Sequence, residues 1–347
     1  MKEVDYIVVG LGIAGLSFAE QLSEHNKSFV VIDKGVHGST TVSGGVFNPT
    51  VLKRFTAAWN ATVFVQDALP FYQGLAKKLK VSIMETLPVY RILKSVEEQN
   101  NWMLASGNDA VESFLSSEIL KNNNTSVIAP FGLGSVVGAG RIDPSLLLKV
   151  YRDYLLDQDK LCSQRFEYDM LTSDNGRINY KDLSARHIVF AEGAAAIHNP
   201  YFPKQCLVGN KGEYIIIKAP ELKSTAILKG PMMVIPLGSD LYKVGATYSR
   251  DDYTHHNTDE AREEIVAKLR NMLSCDFEVV DQVAGVRPTV KDRRPLLGAL
   301  PDQANTYFYN GLGTRGILMA PALSKMLYMF IEAGVPLPSE VDIQRFL

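Results

Sequence analysis

The hydrophobic pattern is clearest at the start of the chain, where two short apolar runs flank a helical stretch. Residues 6–9 form a continuous apolar, β-branched run, which is typical of a strand buried on both faces. Leu and Ala then recur at helical spacing over residues 16–22, and a second apolar run covers residues 28–32. The pattern predicts a βαβ unit whose second strand ends at Asp33.

Past residue 57 the pattern alternates between amphipathic helices and short apolar strands. Asp143 followed by Pro144 is a good helix start, because Asp caps the first turn and Pro needs no N–H there. Pro70 is expected to kink or split its helix, and residues 81–128 show short alternating runs without a strong helix. The predicted elements are helices over 58–80, from 143, over 258–273 and over 317–333, and strands over 187–191, 214–217, 233–235, 241–247 and 306–309.

The end of the chain repeats the order seen at its start, namely a strand, a Gly-rich turn and a helix. This repetition predicts a discontinuous α/β architecture, in which a nucleotide-binding domain is assembled from both ends of the chain and a central piece. A domain built on a mixed or antiparallel β-sheet is inserted into it. The predicted boundaries are 1–80, 140–205 and 285–347 for the nucleotide-binding domain, and 81–139 and 206–284 for the substrate-binding domain.

Composition and charge exclude several classes of protein. The 347 residues are 46% hydrophobic and 21% charged, which argues against a disordered or collagen-like chain. A formal net charge of -2 provides no global attraction for nucleic acid. The three cysteines are scattered and lack metal-ligand spacing, so we expect neither a disulfide scaffold nor a metal site. No stretch has the pattern of a membrane span, and the expected location is the cytoplasm.

The turn after the first strand carries the pattern of a dinucleotide site. It has the form GxGxxG, with Gly10 for the tight turn, Gly12 for close approach of a pyrophosphate, and Gly15 for packing of helix against strand. The following helix offers free N–H groups and the positive end of its dipole to phosphates. Asp33 is positioned to accept hydrogen bonds from the adenosine ribose. This motif alone leaves both NAD and FAD open.

Four segments, in order along the chain, resemble motifs of the D-amino-acid oxidase-like FAD oxidoreductases. Residues 39–49 resemble the second flavin-contacting loop, and residues 185–194 resemble the central strand and turn. Residues 285–298 are similar to the GxRPxxxDxxPxxG stretch, and residues 310–322 resemble the closing motif. Within the family, the Arg-Gly pair at 315–316 is similar to those of glycine oxidases and of the oxidase domain of tRNA wobble-uridine modifying enzymes.

The resemblance implies a Rossmann-like FAD-binding domain of the GR2 type and an FAD that is bound noncovalently. No cysteine lies near Arg315 and no histidine lies in the loop over residues 39–45, so covalent attachment is not expected. His37 and His198 stand alone and receive no role. The cofactor-binding residues that the resemblance implies are Gly10, Gly12, Ile13, Ala14, Gly15, Asp33, Lys34, Ser39, Thr40, Thr41, Gly44, Gly45, Ala191, Gly193, Gly313, Thr314, Arg315, Gly316 and Ile317.

The resemblance also implies the chemistry, which is oxidation of the C–N bond of an amine or amino acid by hydride transfer from Cα to flavin N5. Arg287 would hold the substrate carboxylate, because a guanidinium binds a carboxylate in bidentate fashion. Arg315 would lie on the substrate side, and Tyr248 would line the pocket. The partners are a small amine or amino acid and an electron acceptor, O2 or another, and the pattern assigns no oligomeric state.

Three other functions are compatible with the same motifs. A tRNA-modifying enzyme that removes a carboxymethyl group from a wobble uridine would use the same C–N oxidation and the same arginine. The acidic balance of the chain argues mildly against that nucleic-acid substrate. A flavin-binding protein without catalytic turnover is the second alternative, and in it Arg287 would not bind a substrate carboxylate. A plain NAD dehydrogenase is the third, and the purified protein would then show no flavin absorbance.

Overall fold

The computed structural model of the protein describes residues 1–35 and 38–347, so His37 lies outside the described residues. The α-helices are α1 (Ile13–Glu24), α2 (Ser39–Val42), α3 (Ala61–Leu79), α4 (Val96–Ser106), α5 (Pro144–Leu156), α6 (Asp259–Arg270) and α7 (Gly316–Ala333). The strands are β1 (Lys2–Val9), β2 (Phe29–Ile32), β3 (Val46–Phe47), β4 (Thr50–Val51), β5 (Thr56–Ala57), β6 (Met84–Glu85), β7 (Val89–Ile92), β8 (Leu115–Leu120), β9 (Leu133–Val136), β10 (Gly140–Ile142), β11 (Leu161–Cys162), β12 (Leu171–Asp174), β13 (Arg177–Tyr180), β14 (Leu183–Phe190), β15 (Leu207–Lys218), β16 (Ile227–Lys229), β17 (Met233–Gly238), β18 (Leu241–Gly245), β19 (Ser249–Arg250), β20 (Glu278–Val290), β21 (Leu296–Ala299) and β22 (Thr306–Asn310). Short 3₁₀ helices lie at Tyr168–Met170, Gly193–His198, Lys204–Cys206 and Ile343–Phe346.

The first large sheet joins segments from the whole length of the chain. Its strands run in the order β11-β2-β1-β14-β13-β12, and β22 and β21 continue from the carboxyl half of β14. Strands β2, β1, β14 and β22 are parallel, with Val9 opposite Phe190 and Phe190 opposite Phe308. The loops that follow their carboxyl ends therefore meet at one edge of the sheet, which confirms the predicted βαβ unit and α/β fold.

Helix α7 packs against α1 and α3 over this sheet. By length and composition alone α7 is apolar enough to cross a membrane, but just over half of it is buried in the protein. Its residues Ile317, Leu323 and Leu327 belong to the same hydrophobic core as Phe18 of α1 and Phe64 of α3. These contacts are typical of a core helix in a globular domain. The cytoplasmic location stays a prediction.

The second large sheet has nine strands and faces the first across the ligand cavity. Its order is β19-β15-β18-β17-β16-β7-β9-β8, with β20 on the other side of β15. The pairs are antiparallel except β16 with β7, so the sheet is mixed, as predicted. Helix α6 covers one face through Ile265 and Leu269. Strand β20 continues through position 285, and the division into domains stays a prediction.

Two details of the predicted secondary structure are corrected. Helix α3 is one continuous helix through Pro70, because Pro70 and Gln66 both face solvent and water can satisfy the carbonyl left without an N–H partner. The region over residues 81–128 does contain a helix, α4, which begins after Ser95. The Ser95 hydroxyl accepts a hydrogen bond from the N–H of Glu98 at 3.1 Å.

Candidate functional site

A cavity of about 1020 Å³ lies between the carboxyl edge of the first sheet and one face of the second. It is lined by the glycine turn after β1, the loop that contains α2, the turns after β14 and β22, and strands of the second sheet. Every cofactor-binding and catalytic residue predicted from the sequence lines it except Gly15. Residues that lie up to about three hundred positions apart in the chain are therefore brought into one site.

The turn after β1 requires glycine at two positions for two different reasons. Gly10 adopts a φ of +98°, and a Cβ there would stand 2.7 Å from the carbonyl oxygen of Ala191. Gly15 lies behind the cavity wall, where a Cβ would stand 1.9 Å from the carbonyl oxygen of Gly10. Gly15 therefore sets the distance between α1 and the turn, which is the packing role predicted for it, and does not face the cavity.

The N-terminus of α1 is open toward the cavity. The N–H groups of Gly12 and Ala14 have no acceptor among the residues that the structure describes. The N–H of Ile13 donates to the Thr40 hydroxyl at 3.1 Å, which ties α2 to the start of α1. Free N–H groups at a helix N-terminus bind anions, and a diphosphate is the anion that suits this position.

Asp33 lies at the end of β2 and closes the same part of the cavity. Its carboxylate accepts hydrogen bonds from the N–H of Leu11 at 2.9 Å and of Gly35 at 2.8 Å. Arg152 of α5 forms an ion pair with it, and also donates to the Asp33 carbonyl at 3.2 Å. These contacts fix the carboxylate at the position where the ribose of a dinucleotide is expected.

The N-terminus of α7 forms a second open helix end on the cavity wall. The N–H groups of Gly316 and Ile317 have no acceptor in the described part of the chain. Arg315 precedes them, and its guanidinium donates to the carbonyls of Asn48 at 2.9 Å and Thr50 at 3.0 Å. Burial lowers the pKa of Arg315 from its usual value, yet a guanidinium keeps its charge in proteins.

Arg287 of β20 is a buried cation without a carboxylate partner among the described residues. Its guanidinium donates to the carbonyl of Thr247 at 3.3 Å and lies 4.7 Å from the ring centroid of Tyr248. Tyr214 also lies beside it: burial raises the pKa of Tyr214, and Arg287 acts in the opposite direction. Tyr248 is 68% exposed, so its ring lies between Arg287 and the open part of the cavity.

A neighbouring buried lysine, Lys211, differs from Arg287 because it has carboxylate partners. Lys211 of β15 is fully buried, and its ammonium lies 3.4 Å from a Glu213 oxygen and 3.2 Å from an Asp252 oxygen. Gly212 lies between Lys211 and Glu213 in the chain and has no side chain. The Arg287 guanidinium fills the space that a side chain there would occupy. Buried charges ordinarily need such partners, so the missing partner of Arg287 indicates a bound anion.

The structure adds residues that the motifs did not identify. Arg152, Gly212, Tyr214 and Thr247 contact predicted site residues, but no short motif marks them, since each meets its neighbour through strand pairing or helix packing. The cavity wall is strongly cationic: its acidic residues, among those described, are Asp33 and Glu192, and its Lys and Arg residues are Lys34, Lys53, Lys149, Arg152, Arg165, Lys229, Arg287 and Arg315.

These features fit FAD. Two open helix ends, an anchored carboxylate and a cationic wall line one continuous cavity, and they supply donors for a diphosphate and for an electron-rich ring. Glu192 also lies on the wall, where burial raises the pKa of its carboxyl group while Tyr168 and Asn199 donate hydrogen bonds to it.

Comparison with known proteins gives a consistent result. A family model described as FAD dependent oxidoreductase matches residues 5–328. Glycine oxidase of Bacillus subtilis (strain 168) is 24% identical over 352 residues, which cover 94% of this chain and 92% of that protein. The tRNA 5-methylaminomethyl-2-thiouridine biosynthesis bifunctional protein of Actinobacillus pleuropneumoniae serotype 5b (strain L20) is 31% identical over 137 residues, covering 30% of this chain and 20% of that protein. The crystal structure of glycine oxidase from Bacillus cereus ATCC 14579 superimposes with a TM-score of 0.79 at 17% identity, covering 96% of each chain.

Proposed function

The chain belongs to the family of FAD dependent oxidoreductases, and on that premise we propose that it oxidises the C–N bond of a small amine or amino acid that carries a carboxylate. It is an enzyme of the type that acts on amines and amino acids, with FAD as its cofactor. The proposal adds the position of the substrate, its anchoring group and the roles of individual residues.

The observation that carries the proposal is the unpaired guanidinium of Arg287. It is 9% exposed, lines the cavity, and has no carboxylate partner in the described residues. A substrate carboxylate would supply the missing charge with two parallel hydrogen bonds. Thr247 fixes the guanidinium from behind, and Tyr248 lies over it and reduces its access to water.

Four groups of this chain would do the work of binding and orientation. The bound FAD supplies a hydride acceptor at N5, and water hydrolyses the resulting imine. Arg287 positions the Cα–H bond by holding the carboxylate, which lowers the entropic cost of reaching the reactive geometry. The N–H groups of Gly316 and Ile317 are free and would stabilise negative charge on the flavin ring of bound FAD. Arg315 is braced by two carbonyls and adds positive charge on the same side.

At the other end of the cavity, the N–H groups of Gly12 and Ala14 would bind the diphosphate, and Asp33 would accept hydrogen bonds from the ribose. Cysteine does not occur on the described cavity wall, and the loop over residues 39–45 carries no histidine. The proposal is therefore a noncovalent FAD, which acid or chaotrope treatment would release from the protein.

A carboxymethylaminomethyl uridine in tRNA is the alternative substrate, and it would use the same arginine. One relative of that class is similar over 30% of this chain and another over 97%, while glycine oxidase is similar over 94%, so the extent of similarity does not distinguish the two substrates. The net charge of -2 provides no general attraction for a polynucleotide. The charge favours a small substrate.

The test is a substrate panel on the purified yellow protein, with peroxide detection in air and dye reduction under anaerobic conditions. The panel contains glycine, sarcosine, proline, D- and L-amino acids, their decarboxylated analogues, and a tRNA that carries the modified uridine. Turnover of carboxylate amines, with much less turnover of decarboxylated analogues, supports the proposal. Turnover of the tRNA alone, or of amines without regard to a carboxylate, would overturn it.

A further inference from the structure

Lys229 lies in the same cavity as Arg287 but on β16, four strands away from β20 in the second sheet. The pairing register places Lys229 opposite Met233, Met233 opposite Gly245, and Gly245 opposite Tyr214. Residues directly opposite each other in a sheet project from the same face. All four residues line the cavity, so this row forms the floor of its substrate end.

The next row of paired residues identifies the opposite face of the sheet, which is the one covered by α6. Leu228, Val234, Val244 and Ile215 are paired in the same way, and all four lie in the core under α6. Side chains alternate between the two faces along each strand. Lys229 therefore projects away from α6 and toward the cavity, on the face that also carries Ile235 and Tyr214.

The Lys229 ammonium has no hydrogen-bond or ion-pair partner among the residues that the structure describes. Its neighbour across the parallel β16–β7 pair is Arg91. The Arg91 guanidinium forms an ion pair with the Glu98 carboxylate at 3.0 Å, so that carboxylate is already paired. Burial lowers the pKa of Lys229 to about 8, and the charges of Arg91, Lys94 and Lys268 act in the same direction. This end of the cavity thus holds an excess of positive charge that no described carboxylate balances.

On the basis of the function proposed above, we infer that the substrate is a dicarboxylic amine, with one carboxylate on Arg287 and the second on Lys229. Two unpaired cations at opposite ends of one cavity floor match two anionic groups on one ligand. Three strand spacings, about 14 Å of backbone, separate Lys229 from Tyr214, the residue that flanks Arg287. Both cationic side chains are long and lie on the cavity face of the sheet, so the second carboxylate belongs several atoms from the first.

The occupant is a carboxylate of the substrate and not part of FAD. The FAD-binding features, which are the N-termini of α1 and α7 together with Asp33, lie on the first sheet and its loops. Lys229, Met233 and Gly245 lie on the second sheet, which contributes Arg287 as well. Met233 and Gly245 offer no charge between the two cations, so the middle of the substrate is an uncharged chain.

The experiment measures binding of inert anions to the FAD-loaded enzyme by calorimetry and by the shift of the flavin absorbance. The ligands are acetate and the unbranched dicarboxylates from malonate to adipate, which act as a ruler. At pH 7 we expect at least one dicarboxylate to bind ten or more times tighter than acetate, with an optimum length. In Lys229→Met this advantage falls to within about twofold of acetate. Lys218→Met, which removes an exposed lysine from the same sheet, keeps the advantage.

The pH dependence distinguishes the ammonium from a merely structural lysine. The dicarboxylate advantage should fall as the pH rises through about 8 in the native enzyme, because Lys229 then loses its charge. Lys229→Arg should retain the advantage and lose this pH dependence, since arginine stays charged. His255 also lines the cavity, and Lys243 has a pKa near 8 as well; both are retained in Lys229→Arg, so any pH dependence that persists in that variant belongs to groups other than Lys229.

The outcomes separate the two proposals. If monocarboxylate amines are oxidised but no dicarboxylate binds tighter than acetate, the inference about Lys229 is wrong and the proposed function stands. If acetate and the dicarboxylates all fail to bind, and no carboxylate amine is oxidised, the proposed function itself fails. An unchanged dicarboxylate advantage in Lys229→Met would also overturn the inference.

Discussion

Gly212 and Arg287 occupy one space: a Cβ on Gly212 would stand 2.0 Å from a terminal nitrogen of the Arg287 guanidinium. The contact involves the end of a flexible side chain, so the backbone of the two paired strands β15 and β20 need not move to relieve it. The absence of a side chain at residue 212 thus determines where the proposed carboxylate anchor lies.

Gly212→Ala should therefore displace Arg287 without unfolding the protein. Because a shift of about 1 Å in an orienting group can cost about 10²-fold in rate, we expect kcat/KM for carboxylate amines to fall by about that factor. Steady-state kinetics measures it, and the flavin absorbance should stay unchanged. Gly74→Ala, at an exposed helix position where a Cβ contacts nothing, is the matched control. Unaltered kinetics in Gly212→Ala would refute this role.

Removing the guanidinium should affect carboxylate amines selectively. Loss of one partner of a buried charge pair costs about 2–5 kcal/mol, so Arg287→Met should lower kcat/KM for the best carboxylate substrate by about 10²-fold or more. Arg287→Lys should recover part of the loss, because an ammonium cannot make two parallel hydrogen bonds. The same variants assayed with the decarboxylated analogue should differ much less from the native enzyme. A uniform loss on both substrates would show that Arg287 acts on something other than the carboxylate.

The anchored carboxylate of Asp33 gives a prediction about the cofactor. Hydrogen bonds to a charged group are worth about 1.5–3 kcal/mol each, so Asp33→Ala should weaken FAD binding by about tenfold or more. Fluorescence titration of the apoprotein with FAD measures the change in Kd. Arg152→Met removes the ion pair but leaves the carboxylate in place, and it should weaken binding less. Equal Kd values for Asp33→Ala and the native protein would remove Asp33 from the site.

Lys243 gives a prediction about stability and pH. It is buried with its ammonium 3.1 Å from the carbonyl of Ser43, and burial lowers its pKa to about 8. Between pH 8 and 10.5 the unfolded chain therefore binds more protons at this lysine than the folded chain does, so its contribution to stability rises with pH. Relative to Lys243→Met, the native protein should gain about 3 kcal/mol across that window.

Urea unfolding of both proteins at several pH values measures that difference. Because the variant shares every other titrating group, subtraction isolates Lys243. A difference in unfolding free energy that stays constant from pH 7 to 10.5 would show that the lysine keeps its ordinary pKa in the folded state.

Local signals explain which parts of the fold could be predicted. The run from Tyr6 to Asp33 contains a buried strand, a Gly-rich turn, a helix and a second strand within one short segment, and each has its own pattern. Asp143 and Pro144 mark the start of α5 in the same way, and Asp143 indeed accepts a hydrogen bond from the N–H of Leu146 at 3.0 Å. Helix α4 was missed although Ser95 and Glu98 have the spacing of a capping box, because its apolar residues do not form one stripe: Trp102 is buried, whereas Met103 and Leu104 are exposed.

The surroundings of the anchor could not be predicted because they depend on pairing over long distances in the chain. Tyr214 and Thr247 reach Arg287 from two other strands, and neither carries a motif. Lys229 lies next to Arg91 only because β16 pairs in parallel with β7, a pairing across more than one hundred residues. The residue types that do chemistry were found by resemblance, whereas their supporting contacts needed the three-dimensional structure.

The bridge from Arg315 to Asn48 joins residues 267 positions apart, and it governs the order in which the site is completed during synthesis. Until residues 306–333 have been synthesised, the sheet lacks β22 beside β14, and the cavity lacks the α7 end of its wall. The nascent chain can form the αβ start of the fold early but has no finished place for a flavin. The wall of the cavity is therefore complete only once α7 has been made and Arg315 has reached Asn48.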